Sequence, residues 1–192
     1  MKHHSPFLYF PSGRLSLTEL SAARLDGDLV ELGNGYTPAD TVETMALRAG
    51  SLAPLAGITL ALTHTSAAWV YGVFNEPPTP HHLQRAVPHR ITHVIDGQIC
   101  YHDSALPSGD QVLIGGVRVS TAIRTLVDLA RSPDPDVHAA TEELAALLPP
   151  GITAAALNRV LFSKRFSGKR AALQRLQNAH HRHGNPPDAA PD

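Results

Sequence analysis

Between residues 82 and 120 paired turn residues, Asp96-Gly97 and Gly115-Gly116, cut the chain into short segments of alternating polarity. Segments at 82–87, 91–95, 98–102, 111–114 and 117–120 predict strands, because Asp-Gly and Gly-Gly pairs supply the positive-φ backbone of a tight hairpin. Connections that short join antiparallel neighbours, whereas a parallel pair needs a crossover of about a dozen residues or more. From residue 121 the apolar period lengthens to that of a helix, with Ile123, Leu126, Val127 and Ala130 on one face. Strands in one block and helices in another predict an α+β protein: an antiparallel sheet flanked by helices, with a helical C-terminal cap.

The flanks supply the remaining elements. Ser16 and Glu19 form a capping-box pair that opens a helix over 17–25. Short strands at 28–32 and 36–37 follow, joined by Gly33-Asn34-Gly35, and helix then hairpin is how a winged helix-turn-helix ends. Asp40 and Glu43 predict a second capped helix reaching residue 52, and residues 59–63 alternate like a strand. A short helix over 63–72 stops at Gly72. In the last third, Ser120 caps the helix over 121–131, and Asp134-Pro135 opens one reaching 148. Thr153 caps a third, and residues 168–179 make a fourth. The tail from His180 onward, rich in His, Pro, Asn and Asp, is expected to be disordered. The division expected is a shortened, degenerate winged-helix-like segment over 1–39, an α+β domain over 40–179 and a tail over 180–192.

Charge is unevenly placed. Lys and Arg number 16 against 17 Asp and Glu, yet residues 149–187 hold no acid and carry Arg159, Lys164, Arg165, Lys169, Arg170, Arg175 and Arg182. A basic end of this kind suits phosphate or an acidic protein surface. The single cysteine, Cys100, precludes an internal disulfide and fits a reducing compartment. No stretch approaches the ~20 apolar residues of a membrane helix. The first ten residues lack the apolar run of a signal peptide. The expected location is the cytoplasm, with no membrane partner.

No enzyme signature emerges. The chain has 12 histidines, among them His81-His82, His89, His93, Tyr101-His102-Asp103 and His180-His181-Arg182-His183, but none shows the paired helical spacing of a hydrolytic zinc site. Cys100 lies inside an expected strand, where a small apolar role is the ordinary one, and His102 faces away from both its neighbours. No nucleophile elbow or phosphate-cradling glycine loop is present. The expectation is no catalytic residue, no cofactor and no metal. His64, ahead of Ser66-Ala67-Ala68, can meet a phosphate at a helix start but more often stiffens the turn. Arg118 alternates against its valine neighbours and so points to solvent or a partner. Arg124 and Asp128 are spaced for an intrahelical ion pair.

Several blocks together carry a resemblance. The run Thr63-His64-Thr65-Ser66-Ala67-Ala68-Trp69-Val70-Tyr71-Gly72 is one, and Gly116-Val117-Arg118-Val119-Ser120-Thr121-Ala122-Ile123-Arg124-Thr125-Leu126-Val127-Asp128-Leu129-Ala130 is another. Tyr101-His102 lies between them, and Ser167-Gly168-Lys169-Arg170-Ala171-Ala172-Leu173 follows. Over about residues 17–176 the chain resembles the AbiEi-type antitoxins of type IV, abortive-infection toxin–antitoxin systems. The resemblance implies an N-terminal winged helix-turn-helix that binds operator DNA and a larger C-terminal domain with antitoxin activity. It also implies a nucleotidyltransferase-like toxin, antagonised without a stable complex. His64, Gly72, Arg124, Thr125 and Asp128 are the family-motif positions, read as structural. Arg118, Lys164, Arg165, Lys169, Arg170 and Arg175 are the candidates for contact with nucleic acid or a partner. The front end departs from the pattern: one helix precedes the hairpin, Arg24 is its sole base, and Asp26-Gly27-Asp28 stands where phosphate would be repelled. The function expected is therefore an antitoxin or regulator acting by binding. The alternative is a nucleic-acid-binding accessory protein that uses the basic C-terminal helices without a toxin partner. A metal-dependent hydrolase built on the histidines comes after both.

Overall fold

Residues 6–12, 14–91, 97–163 and 167–183 are described by a computed structural model of the chain. Its first helix, α1 (Leu17–Leu25), begins as the sequence predicts: the Glu19 backbone N–H donates to Ser16 Oγ, and the Ser16 N–H donates to the Glu19 carboxylate at 2.7 Å. Strands β1 (Leu29–Leu32) and β2 (Gly35–Pro38) follow as an antiparallel hairpin. Helix α2 (Met45–Ser51) starts later than the sequence suggests, because Thr44 rather than Asp40 accepts the capping bond, from the Leu47 N–H. Glu43 is turned instead toward Arg48, with which it forms an ion pair at 2.5 Å. A single turn, α3 (Ala53–Ala56), leads into β3 (Leu60–Leu62), and α4 (His64–Val70) follows directly.

The remaining strands are β4 (His81–Arg85), β5 (Ile99–His102), β6 (Gln111–Ile114) and β7 (Val117–Ser120). With β3 they form a five-stranded sheet in the order β5-β4-β3-β7-β6. The α+β class is as expected, but the sheet is mixed. β3–β4 and β6–β7 are antiparallel, whereas β3–β7 and β4–β5 are parallel. Hairpin logic holds only where a turn closes at once, as at Gly115 and Gly116 with φ of 56° and 79°. β3 and β7 are neighbours in space but far apart in sequence, and residues 86–98 give β5 the length to return beside β4 in the same direction. The expected strand at 91–95 and the residue Asp96 lie outside the described residues, apart from Ile91.

Four helices follow and pack on one another, with α4 between them and the sheet: α5 (Ala122–Arg131), α6 (His138–Leu147), α7 (Pro150–Phe162) and α8 (Lys169–His183). The cap of α5 is Thr121, whose hydroxyl accepts from the Arg124 N–H, not Ser120. Asp134 does accept a capping bond, from the Asp136 N–H, but a 3-10 turn (Pro135–Val137) intervenes before α6. Thr153 is no cap, since α7 opens at Pro150, whose missing N–H costs nothing at a first turn, and Thr153 is buried within it. Contrary to the expected tail, α8 continues through His183, because Ala172, Leu176 and Ala179 anchor its inner face in the core.

Two apolar clusters hold these layers. One joins Leu8, Leu32, Leu47 and Leu52 to the sheet residues Leu60, Leu62, Leu83, Val117 and Val119. The other gathers Leu126, Leu129, Leu144, Ala156, Val160 and Leu176 from the C-terminal helices. Helix α4 is their common wall: Ala67, Trp69 and Val70 face the first cluster and Ala68 the second. That placement fixes its first residue, His64, at the seam between sheet and helices. Among the described residues no helix is long and apolar enough to cross a membrane.

Candidate functional site

The parallel pairing of β4 with β5 sets His82 opposite Cys100 and Gln84 opposite His102. Residues two apart on a strand share a face, so His82, Gln84, Cys100 and His102 stand on one side of the sheet. The start of α4 brings His64 to the same place. Its φ is +50°, in the left-handed region that a side chain other than glycine occupies at a cost of about 1–3 kcal/mol. The His64 ring stacks on that of His102, with centroids 4.2 Å apart and planes 13° from parallel. His82 Nδ1 lies 3.0 Å from His102 Nε2, and one ring nitrogen from each histidine falls within 4.8 Å of the others.

Burial disfavours the charged form of all three imidazoles. Desolvation, then the neighbouring His102 and His82 and the charges of Arg124 and Arg131, push His64 down to about 2. Desolvation followed by His102 and His81 lowers His82 to about 4. His102 is also held below the usual histidine range, by desolvation and then by Arg124. A neutral imidazole presents one N–H and one lone pair, and the lone pair can take a hydrogen bond or a metal ion.

The three rings form one wall of a cavity of about 650 Å³, whose other walls include Gln84, Ser104, Arg124, Asp128, Arg131 and Arg175. Beneath it runs a continuous polar network. Arg159 grips Asp110 through two bonds of 2.5 and 2.6 Å. Arg124 reaches Asp110 at 3.3 Å and donates through Nε to Asp128 at 2.8 Å. Gln84 accepts from Arg124 at 3.5 Å and donates to both oxygens of Ser104 at 2.9 Å. Burial opposes ionisation of Asp110, but Arg159 and then Arg124 outweigh it and hold the carboxyl below its ordinary value. Asp128 is more deeply buried, and there desolvation prevails over Arg124 and raises its proton affinity. Its Oδ1 has no hydrogen-bond partner among the described residues.

Of the sequence-derived positions, the structure brings His64, Arg124, Asp128 and Arg175 to this cavity. Thr125 is buried just behind, bonded to Ser120 and to the Thr121 carbonyl. Gly72 closes α4 with φ of 99° and donates to the Trp69 carbonyl. The basic candidates are dispersed, and most are engaged within the fold. Arg118 donates to the Ile58 carbonyl. Lys169 donates to the Leu161 and Ser163 carbonyls at the end of α7, at 2.8 and 3.0 Å. Arg175 does the same for Ala130 and Ser132 at the end of α5, at 2.7 and 2.9 Å. Arg170 is exposed, and Lys164 and Arg165 lie outside the described residues.

Sequence reasoning passed over the grouping of His64, His82 and His102 and the residues Gln84 and Asp110, and it named Arg159 only as part of the basic end, not as the partner of Asp110. Metal-site spacing rules look for ligands along one helix or loop, and these three come from a helix start and two strands. The available signal was indirect: His64 and His102 both stand in blocks that carry the family resemblance.

Three comparisons bear on identity. Residues 55–178 match the AbiEi antitoxin C-terminal domain, well over half of the chain. Among solved structures, the chain is similar to the crystal structure of the RV2827C protein from Mycobacterium tuberculosis, with 15% sequence identity and a TM-score of 0.35. That alignment covers 88% of this chain and 70% of the other. No curated protein matches.

Proposed function

This chain belongs to the AbiEi antitoxin family, and from that premise we propose that it is the antagonist of a nucleotidyltransferase-like toxin in the cytoplasm, acting by binding rather than catalysis. The observation that carries this reading is the cavity over the Arg124-Thr125-Asp128 block. Its lining has three guanidinium groups, Arg124, Arg131 and Arg175, against one carboxylate, Asp128. An excess of fixed positive charge in a recess favours an acidic or phosphate-bearing group on the partner. Arg124 and Asp128 hold one another, so the groups are positioned in advance and less side-chain freedom is lost on association.

We assign residues 1–39 to a reduced operator-reading unit and 40–179 to the antitoxin domain. The reduction is physical: α1 presents one basic side chain, Arg24, and it is ion-paired with Glu31 at 3.3 Å. The accessory-protein alternative has less support, because Arg118, Lys169 and Arg175 spend their donors on carbonyls of this fold.

Co-expression with its cognate toxin, sought as a nucleotidyltransferase-like protein encoded nearby, tests the first part. Growth restored in the presence of the toxin is expected, and continued arrest with folded antitoxin present overturns the reading. A gel shift with salt titration, on its own upstream DNA and on an unrelated duplex, tests the second. Preference for the upstream DNA is expected; equal, steeply salt-dependent binding to both would remove the operator role and favour a nonspecific basic surface.

A further inference from the structure

We propose that His64, His82 and His102 form a binding site for one divalent transition-metal ion of the zinc class, with its open coordination position on the cavity side. Three imidazoles and an exchangeable fourth ligand are a recurrent zinc arrangement, in which nitrogens lie about 2.0–2.1 Å from the ion and hence about 3.3 Å from one another. His82 and His102 already stand at 3.0 Å, and all three donors lie within 4.8 Å. They come from three separate elements that pack at the seam of the fold, so the site is set by tertiary structure and not by one mobile loop. Closing it requires the His64 ring to leave its stack on His102 and turn about χ2, a broad torsion.

The surroundings indicate what would fill the open position. All three histidines line the cavity, as does Asp128, whose carboxyl is paired with Arg124. Arg124 and Arg131 line the same cavity and disfavour a bare cation. They therefore select an ion carrying an anionic fourth ligand: hydroxide, a carboxylate or a phosphate oxygen. Zinc-class ions suit an all-imidazole set better than magnesium or calcium, which prefer oxygen donors.

The test uses the untagged full chain, freed of metal by chelator, titrated with Co(II) and then Zn(II), and passed through a desalting column. One retained equivalent of Co(II), with the ligand-field absorption of a four- or five-coordinate ion that Zn(II) abolishes, is expected. His82→Gln and His102→Gln should each weaken binding by more than the about 10–100-fold that loss of an outer-shell partner costs. A variant with His180, His181 and His183 all changed to Ala should bind as the parent does. Because the glutamine variants can be compromised in folding, nitrogen NMR of the parent's histidine rings supplies a second measurement, in which Zn(II) should shift His64, His82 and His102. No retained ion, ring shifts confined to the C-terminal histidines, or binding lost only in the C-terminal variant would overturn the assignment. None of these outcomes depends on toxin antagonism.

Discussion

Asp110 carries more of this fold than its place in a short turn suggests. It is buried to 5% exposure, receives both ends of the Arg159 guanidinium and holds Arg124 as well. Removing the charge leaves two arginines without their shared acceptor, but Arg159 is 41% exposed at its side chain and water takes over part of that loss. Asp110→Asn should therefore cost about 2 kcal/mol, below the 3–5 kcal/mol of a fully buried pair. Since the folded-state proton affinity of Asp110 is depressed, its contribution is present above the unfolded value of about 3.9 and is lost as pH falls through the lower folded value. Asp128, raised rather than lowered, does not add to that acid limb. Urea midpoints measured between pH 6 and pH 2.5 should fall for the parent below about pH 4 and fall less for the variant. A parallel decline in both proteins would show that Asp110 is not the group responsible.

At the scale of elements, the C-terminal helices are tied to each other by side chains that seek carbonyls. The last carbonyls of a helix lack intrahelical donors, and a cation placed there meets both the free acceptors and the negative end of the helix dipole. Arg175 of α8 supplies this to α5, and Lys169 supplies it to α7. Arg175→Gln should lower stability by about 1 kcal/mol, a fall of about 2–4 °C in Tm for a chain of this length, read by calorimetry. An unchanged Tm would return Arg175 to the role of a free contact residue. The sequence view of these helices was sound in kind and wrong at the ends. Helix existence follows from apolar period, which the segment itself carries. Caps depend on which neighbouring side-chain oxygen the chain direction presents, so Thr121 displaced Ser120, and Thr44 displaced Asp40.

Over the whole molecule the decisive element is α4. With Ser66 through Val70 buried, it belongs to both apolar clusters at once. Trp69 is fully buried, with the Arg48 guanidinium 5.4 Å above its ring. Trp69→Ala should cost about 3–5 kcal/mol. If α4 couples the two halves, amide protection should fall together in the sheet and in α5 and α6, and far-UV circular dichroism should still report one urea transition. Protection lost in the sheet alone would show two independently stable halves.

The sequence by itself determined the α+β class, the capping box of α1, the tight hairpin at Gly115-Gly116, the amphipathic face of α5 and the Arg124–Asp128 pair. Each depends on interactions within a few residues, whose geometry local period and turn chemistry dictate. It also carried the family, through blocks now matched over residues 55–178. Tertiary structure alone decided the parallel pairings of β3 with β7 and β4 with β5, the grip of Arg159 on Asp110, and the meeting of His64, His82 and His102. Those contacts join residues from 18 to 57 positions apart. No local pattern encodes such neighbours; they become adjacent only when burial of α4 between two apolar clusters closes the chain on itself.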